Sequence, residues 1–275
     1  MAGDESSPVT IAINQAEYTN APGGPVVHIF GRTAEGVAHH LQITEFRPYF
    51  WVWENEADLS HSDTIEVTQD KAVSIKGEPL RRIYTGKPTD VRIVRDHYHH
   101  YEADIPFATR FLIDTGLTGG VTAPSEVCSY TELAPAVVHS KPRVCMCDIE
   151  CDDRNGFPEP ERDPITCLTC HDSYDDHYTT FVLLGKTHVD YYDHSGLVNG
   201  CFIRDRHTIC VYQTEKELFT AFITYIQEKD PDILSGWNFA DFDADYILKR
   251  AQALGFKSDV FARIPGTTER NAMRG

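Results

Sequence analysis

The sequence predicts two domains of different class: an α+β domain rich in antiparallel strands over residues 1–140, then an α/β domain with a mixed sheet flanked by helices over residues 141–275. Three observations carry this expectation. A chain of 275 residues exceeds the commonest size of a single domain. Its first part consists of short β-rich runs broken by Gly and Pro. Beyond residue 140, strand patterns alternate with amphipathic helical ones, the order of a sheet covered by helices.

In the first domain the runs Val9 to Ile13, Val26 to Phe30, Val37 to Ile43 and Tyr49 to Trp53 read as strands, with Pro22-Gly23-Gly24-Pro25 as a turn signal. Leu80 to Tyr84 reads as another strand. Asp90 to Tyr101 and Asp104 to Leu117 carry helical apolar spacing, with Pro106 in a first turn. Thr118 to Pro142 reads as a linker, on Gly119-Gly120, Pro124, Pro135 and Pro142, although its valines suit extended packing. In the second domain, strands are expected at Val144 to Glu150, Ile165 to Cys170, Thr179 to Leu184 and Ile233 to Ser235. Helices are expected at Lys216 to Glu228 and Asp243 to Leu254.

Composition narrows the classes of function. The hydrophobic fraction of 41% and charged fraction of 24% are those of a globular chain with a core. Met1 to Thr10 is acidic and polar, and no run is long enough to span a bilayer, so a cytoplasmic protein without membrane attachment is expected. Eight cysteines are too sparse for a disulfide scaffold and are expected as reduced thiols. A net charge of −17 repels a phosphate backbone and argues against a nucleic-acid binder of the usual basic kind. A divalent-metal nuclease is exempt from that argument, because it handles phosphate through its ions. Arg81, Arg82, Lys87, Arg92 and Arg95 do cluster, and a solvated helix face is their ordinary reading.

Two groups of carboxylates carry potential chemistry. In Val144-Cys145-Met146-Cys147-Asp148-Ile149-Glu150, strand alternation puts Asp148 and Glu150 on one face and the apolar side chains on the other. Two like charges so placed repel unless a cation sits between them, and hard oxygen ligands suit Mg²⁺ or Mn²⁺. The plain alternative is a strand end in solvent, since Asp-x-Glu is frequent by chance. The second group is Asn238-Phe239-Ala240-Asp241-Phe242-Asp243, where a strand and turn deliver Asp243 to a helix start. Asp243 alone reads as a helix N-cap. Taken with Asp148 and Glu150, it makes a set of three carboxylates able to hold two ions for phosphodiester hydrolysis.

Asp148-Ile149-Glu150 resembles the first exonuclease motif of family-B DNA polymerases, and Asn238 to Asp243 resembles their second. The spacing between the motifs fits, as does the Tyr246-x-x-Lys249-Arg250 helix that follows. Tyr101-Glu102-Ala103-Asp104-Ile105-Pro106-Phe107-Ala108-Thr109-Arg110-Phe111-Leu112-Ile113-Asp114 is similar to the signature preceding the exonuclease domain in archaeal members. Gly31-Arg32 and Phe46-Arg47-Pro48-Tyr49-Phe50 resemble the family's amino-terminal domain.

This resemblance implies a template-binding amino-terminal domain over residues 1–140 and a ribonuclease-H-like 3′ to 5′ exonuclease domain over 141–275. It further implies a proofreading role in DNA replication, two Mg²⁺ or Mn²⁺ ions held by Asp148, Glu150 and Asp243, and a substrate pocket shaped by Asn238 and Phe242. The implied partners are a DNA 3′ end, a template strand, the polymerase domains and a sliding clamp. A third exonuclease motif, Tyr followed three residues later by Asp, is not found after Asp243, so the exonuclease domain is read as truncated. The chain as given is expected neither to synthesise DNA nor to excise efficiently. Phe107 matches one wall of the archaeal pocket for deaminated template bases, with a place in the helix core as its ordinary role. The alternatives are a template-binding module without catalysis and a stand-alone nuclease of the same fold.

Three further groups invite readings outside this scheme. Cys167 and Cys170 have a ligand-like spacing, but a strand puts them on opposite faces, so buried structural thiols are expected. His97, His99 and His100 read as a solvated helix face. Trp51 and Trp53 share one face of a strand, where core packing competes with stacking on bases.

Overall fold

The computed structural model describes residues 8–58, 65–184 and 200–267. Most of the acidic stretch Met1 to Thr10 therefore lies outside the described residues. Those described fall into two compact units, Met1–Lys141 and Pro142–Gly275.

In the first unit β1 (Val9–Ala21), β2 (Gly24–Arg32) and β3 (Ala38–Thr44) form an antiparallel meander. After it come β4 (Tyr49–Trp53), β5 (Ile65–Val73), β6 (Pro79–Thr85), α1 (Pro88–Val94), β7 (His100–Tyr101) and α2 (Phe107–Thr115). The chain then returns to the meander as β8 (Gly120–Ala123), β9 (Val127–Ser129) and β10 (Ala134–Pro135). One sheet has the order β10-β8-β1-β2-β3-β9 and a second the order β5-β6-β4-β7. Phe107 and Phe111, one helical turn apart on α2, bury against Ile29, Leu41 and Ile43 of the first sheet. α2 stops at Gly116, whose left-handed φ of 67° lets the Leu117 N–H turn back to the Leu112 carbonyl at 3.0 Å.

Several expectations for this unit need correction. The helix expected over 90–101 ends at Val94, because His100 and Tyr101 extend to pair with Val52 and Trp51 of β4. Closing a sheet edge outweighs local propensity there. His97, His99 and His100 therefore share no helix face; the His99 ring stacks on Trp53 at 3.8 Å and its Nδ1 lies 2.6 Å from Glu56. Trp51 and Trp53 are half-buried, while the intervening Val52 and the preceding Phe50 are the core residues of β4. The segment expected as a linker supplies three strands to the first sheet. Of the basic cluster, Arg81 and Arg82 lie on β6, paired with Glu54 and Asp70.

The second unit contains β11 (Val144–Cys151), β12 (Ile165–Asp172), β13 (His177–Leu183), β14 (Cys201–Arg204), β15 (His207–Tyr212), α3 (Glu215–Lys229), β16 (Ile233–Ser235) and α4 (Asp243–Ala253). Its sheet has the order β14-β15-β13-β12-β11-β16. β11, β12 and β13 are antiparallel neighbours, β15 runs parallel to β13, and β16 runs parallel to β11. The mixed sheet is as expected; β14 and β15 are additions to it that the sequence reading did not include. Cys201 and Cys210 face each other across these two strands and form a disulfide, so two of the eight cysteines are not the reduced thiols expected.

α3 opens on a reciprocal cap. The Thr214 hydroxyl accepts the Glu217 N–H at 3.3 Å and the Glu217 carboxylate accepts the Thr214 N–H at 3.0 Å. Leu218, Phe219, Phe222 and Ile226 then form its buried stripe. With Tyr246, Ile247 and Ala251 of α4, they pack onto the sheet face lined by Cys145, Cys147 and Ile149. That leaves the opposite face of β11 to Asp148 and Glu150.

A buried histidine gives the first unit a pH dependence. His28 on β2 is 5% exposed, held between Thr19 at 2.7 Å and His40 at 2.8 Å. Burial, then the neighbouring His40, pushes it down from 6.5 to about 4. The unfolded chain takes up a proton between these values that the folded chain refuses, so stability present above pH 6.5 falls as the pH drops toward 4. The expected loss is about 3 kcal/mol at pH 4, measured by urea unfolding across that range. His28→Gln should flatten the slope, and an unchanged slope would refute the assignment.

Candidate active site

The backbone of β11 decides where the carboxylates go. Burial alternates along it: Cys145, Cys147 and Ile149 are buried, whereas Asp148 and Glu150 are exposed on the other face. Between Glu150 and Cys151 the pairing with β12 slips by one residue, leaving Thr166 as the extra residue of a bulge. The Thr166 hydroxyl donates to the Glu150 carbonyl at 3.0 Å and fixes the bend just where the second carboxylate leaves the sheet.

On its other edge β11 pairs with β16 only from Val144 to Met146. At Gly236, immediately after β16, a Cβ would stand 2.2 Å from the Cys147 carbonyl oxygen, so no other residue lets the chain pass there. The Cys147 carbonyl thus faces the β16 edge, and so does the Ile149 N–H two residues on. Since β16 has ended, this N–H needs another acceptor. Asp243 provides it, its Oδ1 accepting from Ile149 at 3.2 Å.

Asp243 is the first residue of α4, and Phe242 holds the cap position, so the N-cap reading of Asp243 is replaced by a bond to the neighbouring strand. The turn that delivers it is built on Asn238, whose φ is 55° and whose carbonyl accepts the N–H groups of Asp241 and Phe242, each at 3.1 Å. Asp243 is 3% exposed. Burial raises its carboxyl above the ordinary range, and the nearby Asp148 charge adds to the rise, while the Ile149 N–H opposes it. The structure therefore gathers Asp148, Glu150 and Asp243 around one end of β11. Among the described residues no lysine or arginine pairs with them; Arg143, Arg154, Arg162, Arg206, Arg250 and Arg263 are taken by Asp172, Asp152, Asp163, Asp176, Glu215 and Asp230.

The donor set fits divalent metal. Two exposed carboxylates share a face, and a third is buried with a raised pKa against a like charge, a tension that a hard cation relieves.

α4 is itself held by contacts the sequence reading did not foresee. Arg250 makes a two-point pair with Glu215, Nε to Oε1 at 2.9 Å and Nη2 to Oε2 at 2.6 Å. Glu215 Oε1 also accepts the Ile165 N–H at 2.8 Å, and Arg250 Nη1 donates to the Pro160 carbonyl at 2.9 Å. One buried ion pair thus joins α4, α3, β12 and the loop after β11. The Tyr246 hydroxyl, donating to the Asp163 carbonyl at 2.9 Å, pins the same loop. Asp163 is 2% exposed and accepts from Arg162 and from the Glu159 N–H, which hold its carboxyl well below the usual range.

Over residues 98–274 the chain matches the model of DNA polymerase family B, exonuclease domain. The chain belongs to this family. Among its relatives are the DNA polymerase delta catalytic subunit of Glycine max, 26% identical over 88% of this chain and 28% of that protein, and the DNA polymerase of Archaeoglobus fulgidus, 26% identical over 89% of this chain and 31% of that protein. The family B DNA polymerase structure from the hyperthermophilic archaeon Pyrobaculum calidifontis shares the fold, with a TM-score of 0.66 at 24% identity over 92% of this chain and 33% of that one. The chain thus spans about a third or less of these proteins, in the region of the family's ribonuclease-H-like exonuclease domain.

The family motifs now acquire physical roles. Tyr246 and Arg250 of the Tyr-x-x-Lys-Arg helix are the residues that pin the loop and clamp Glu215. Phe242 is half-buried, its ring 5.8 Å from Tyr246 and 6.0 Å from the exposed Phe157. Phe107, matched to one wall of a template-base pocket, lies in the core of the first unit, 7% exposed, with Tyr18 at 5.2 Å and Phe46 at 5.4 Å. Cys167 and Cys170 face opposite ways as expected. Trp237, 92% exposed in the turn beside Asn238, escaped the sequence reading, although a tryptophan between a strand end and a carboxylate motif is itself a signal.

Arg250→Met leaves Glu215 buried and unpaired, which costs about 3–5 kcal/mol. Urea unfolding of the second unit should show that loss. The double variant Arg250→Met/Glu215→Met should recover much of it, whereas simple additivity would show that the pair does not act as one clamp.

Proposed function

We propose that this chain carries three carboxylates of a two-metal 3′ to 5′ exonuclease site that trims the end of a DNA strand, as part of a replicative, proofreading DNA polymerase. The observation that supports it most is the bond from Asp243 to the Ile149 N–H, which puts a buried third carboxylate beside the Asp148 and Glu150 face. In this reading Asp148, Glu150 and Asp243 hold two Mg²⁺ or Mn²⁺ ions. Bound there, the ions supply Lewis acidity, lowering the pKa of an attacking water and stabilising negative charge on the departing 3′ oxygen.

The chain's own residues position the reaction. β11 and its bulge fix the directions of Asp148 and Glu150, and the Ile149 N–H fixes Asp243. The Asn238 turn and the Phe242 ring shape the ground beside the carboxylates, with Trp237 and Phe157 exposed nearby as stacking surfaces for unpaired bases. The polymerase domains of the relatives and a sliding clamp are the partners this reading assigns to the whole protein. A cytoplasmic location goes with it; among the described residues no helix is long and apolar enough to cross a membrane.

A second reading, a template-binding module, has one observation in its favour. Arg82 lies 4.6 Å over the Tyr49 ring and 4.8 Å over Trp51, making a cationic, aromatic sheet face suited to a single strand.

Two measurements test the metal reading. Calorimetry with Mn²⁺ should show paired binding in the parent and its loss in Asp148→Ala; binding indifferent to that change would leave only the second reading. Asp243 is the more telling site. Its raised pKa makes the charged form costly in the folded state, so Asp243→Asn should hold or raise the metal-free Tm at neutral pH and abolish the upward Tm shift produced by Mn²⁺. A shift that survives the substitution removes Asp243 from the ligand set.

A further inference from the structure

The strand that turns carboxylates to one face turns thiols to the other. Cys145 and Cys147 lie on the helix-covered face of β11, and Cys170, the partner of Cys147 on β12, completes a triangle. The Sγ atoms of Cys145 and Cys147 are 3.6 Å apart, those of Cys147 and Cys170 are 3.4 Å apart, and all three lie within 4.8 Å of one another. The three side chains are 1%, 3% and 0% exposed. With metal–sulfur bonds of about 2.3 Å, sulfurs sharing one ion stand roughly 3.7–4 Å apart, so the triangle needs only a small adjustment to close on an ion.

A second observation lies at the same place. Tyr225 of α3 packs against the core cluster that contains the three thiols, with its hydroxyl buried.

We propose that Cys145, Cys147 and Cys170 form a structural site for one thiophilic divalent ion of the zinc class, back to back with the carboxylate face. Binding exchanges one divalent cation for three thiol protons released to solvent, leaving the centre with a net charge of −1. Hard ions prefer the oxygen face and soft ions the sulfur face, so β11 sorts two kinds of metal to its two sides. The site stands on the thiol geometry alone and does not depend on the nuclease reading.

Cadmium is the probe. The freshly reduced chain, held in excess Mg²⁺ to occupy the oxygen ligands, is titrated with Cd²⁺ and read by thiolate-to-metal charge-transfer absorption and by X-ray absorption at the cadmium edge. One Cd²⁺ per chain with three sulfur neighbours, displaceable by Zn²⁺, is the expected result. Cys170→Val keeps an apolar strand residue and should weaken binding at least tenfold, while Cys128→Val in the other unit should leave it unchanged. The proposal is overturned by an absent sulfur signature, by a count of two sulfurs as from a reduced Cys201–Cys210 pair, or by undiminished binding in a folded Cys170→Val chain. If that variant does not fold, the sulfur count in the parent decides.

Discussion

The close approach of Gly236 to the Cys147 carbonyl governs the second unit. A side chain at that point would meet backbone at 2.2 Å and push the chain after β16 off the edge of β11. Because the residue is glycine, the chain passes flush, β16 stops after three paired residues, and the Ile149 N–H is left for Asp243. The position of α4 follows from that bond at one end and from the Glu215–Arg250 pair at the other. Between these two anchors the turn has little freedom, which explains how Asn238 is kept in a left-handed conformation uncommon for a residue with a side chain.

The electrostatics of the unit divide in two. Its structural aspartates and glutamates are satisfied by arginines, often with backbone N–H groups as well, and their positions are thereby fixed. The three carboxylates at the end of β11 receive no arginine or lysine among the described residues, and Asp243 has the Ile149 N–H in its place. A net charge of −17 then ceases to be an argument against phosphodiester chemistry. In a basic protein a lysine would be at hand to neutralise such a cluster; here the field is left to be met by cations from solution.

The sequence made some of this legible and hid the rest for identifiable reasons. Period-two alternation in Val144 to Glu150 is a local property, so the acid and apolar faces of β11 could be read directly. Asp243 could be placed at a helix start, but not told from a cap, because the difference is whether its oxygen meets its own helix or a strand 94 residues away in sequence. The helix expected through His100 was lost to the same kind of distant demand, the open edge of β4. Cys170 looked like half of a Cys-x-x-Cys pair with Cys167; only strand register shows its neighbour to be Cys147. Arg250 carried no visible role until Glu215 was beside it.

The parallel pairing of β16 with β11 also sets an order of assembly. β11, β12 and β13 pair as successive hairpins, with contacts close in sequence, whereas the Arg143 N–H reaches Asp232 across 89 residues. Long loops close late in folding, after local pairings have formed. The strand bearing Asp148 and Glu150 is therefore laid down early, and the third carboxylate arrives only when β16 has docked and α4 has formed behind it. Until that last closure the three acids are not together, so on the reading proposed above a partly folded molecule would lack a complete metal site.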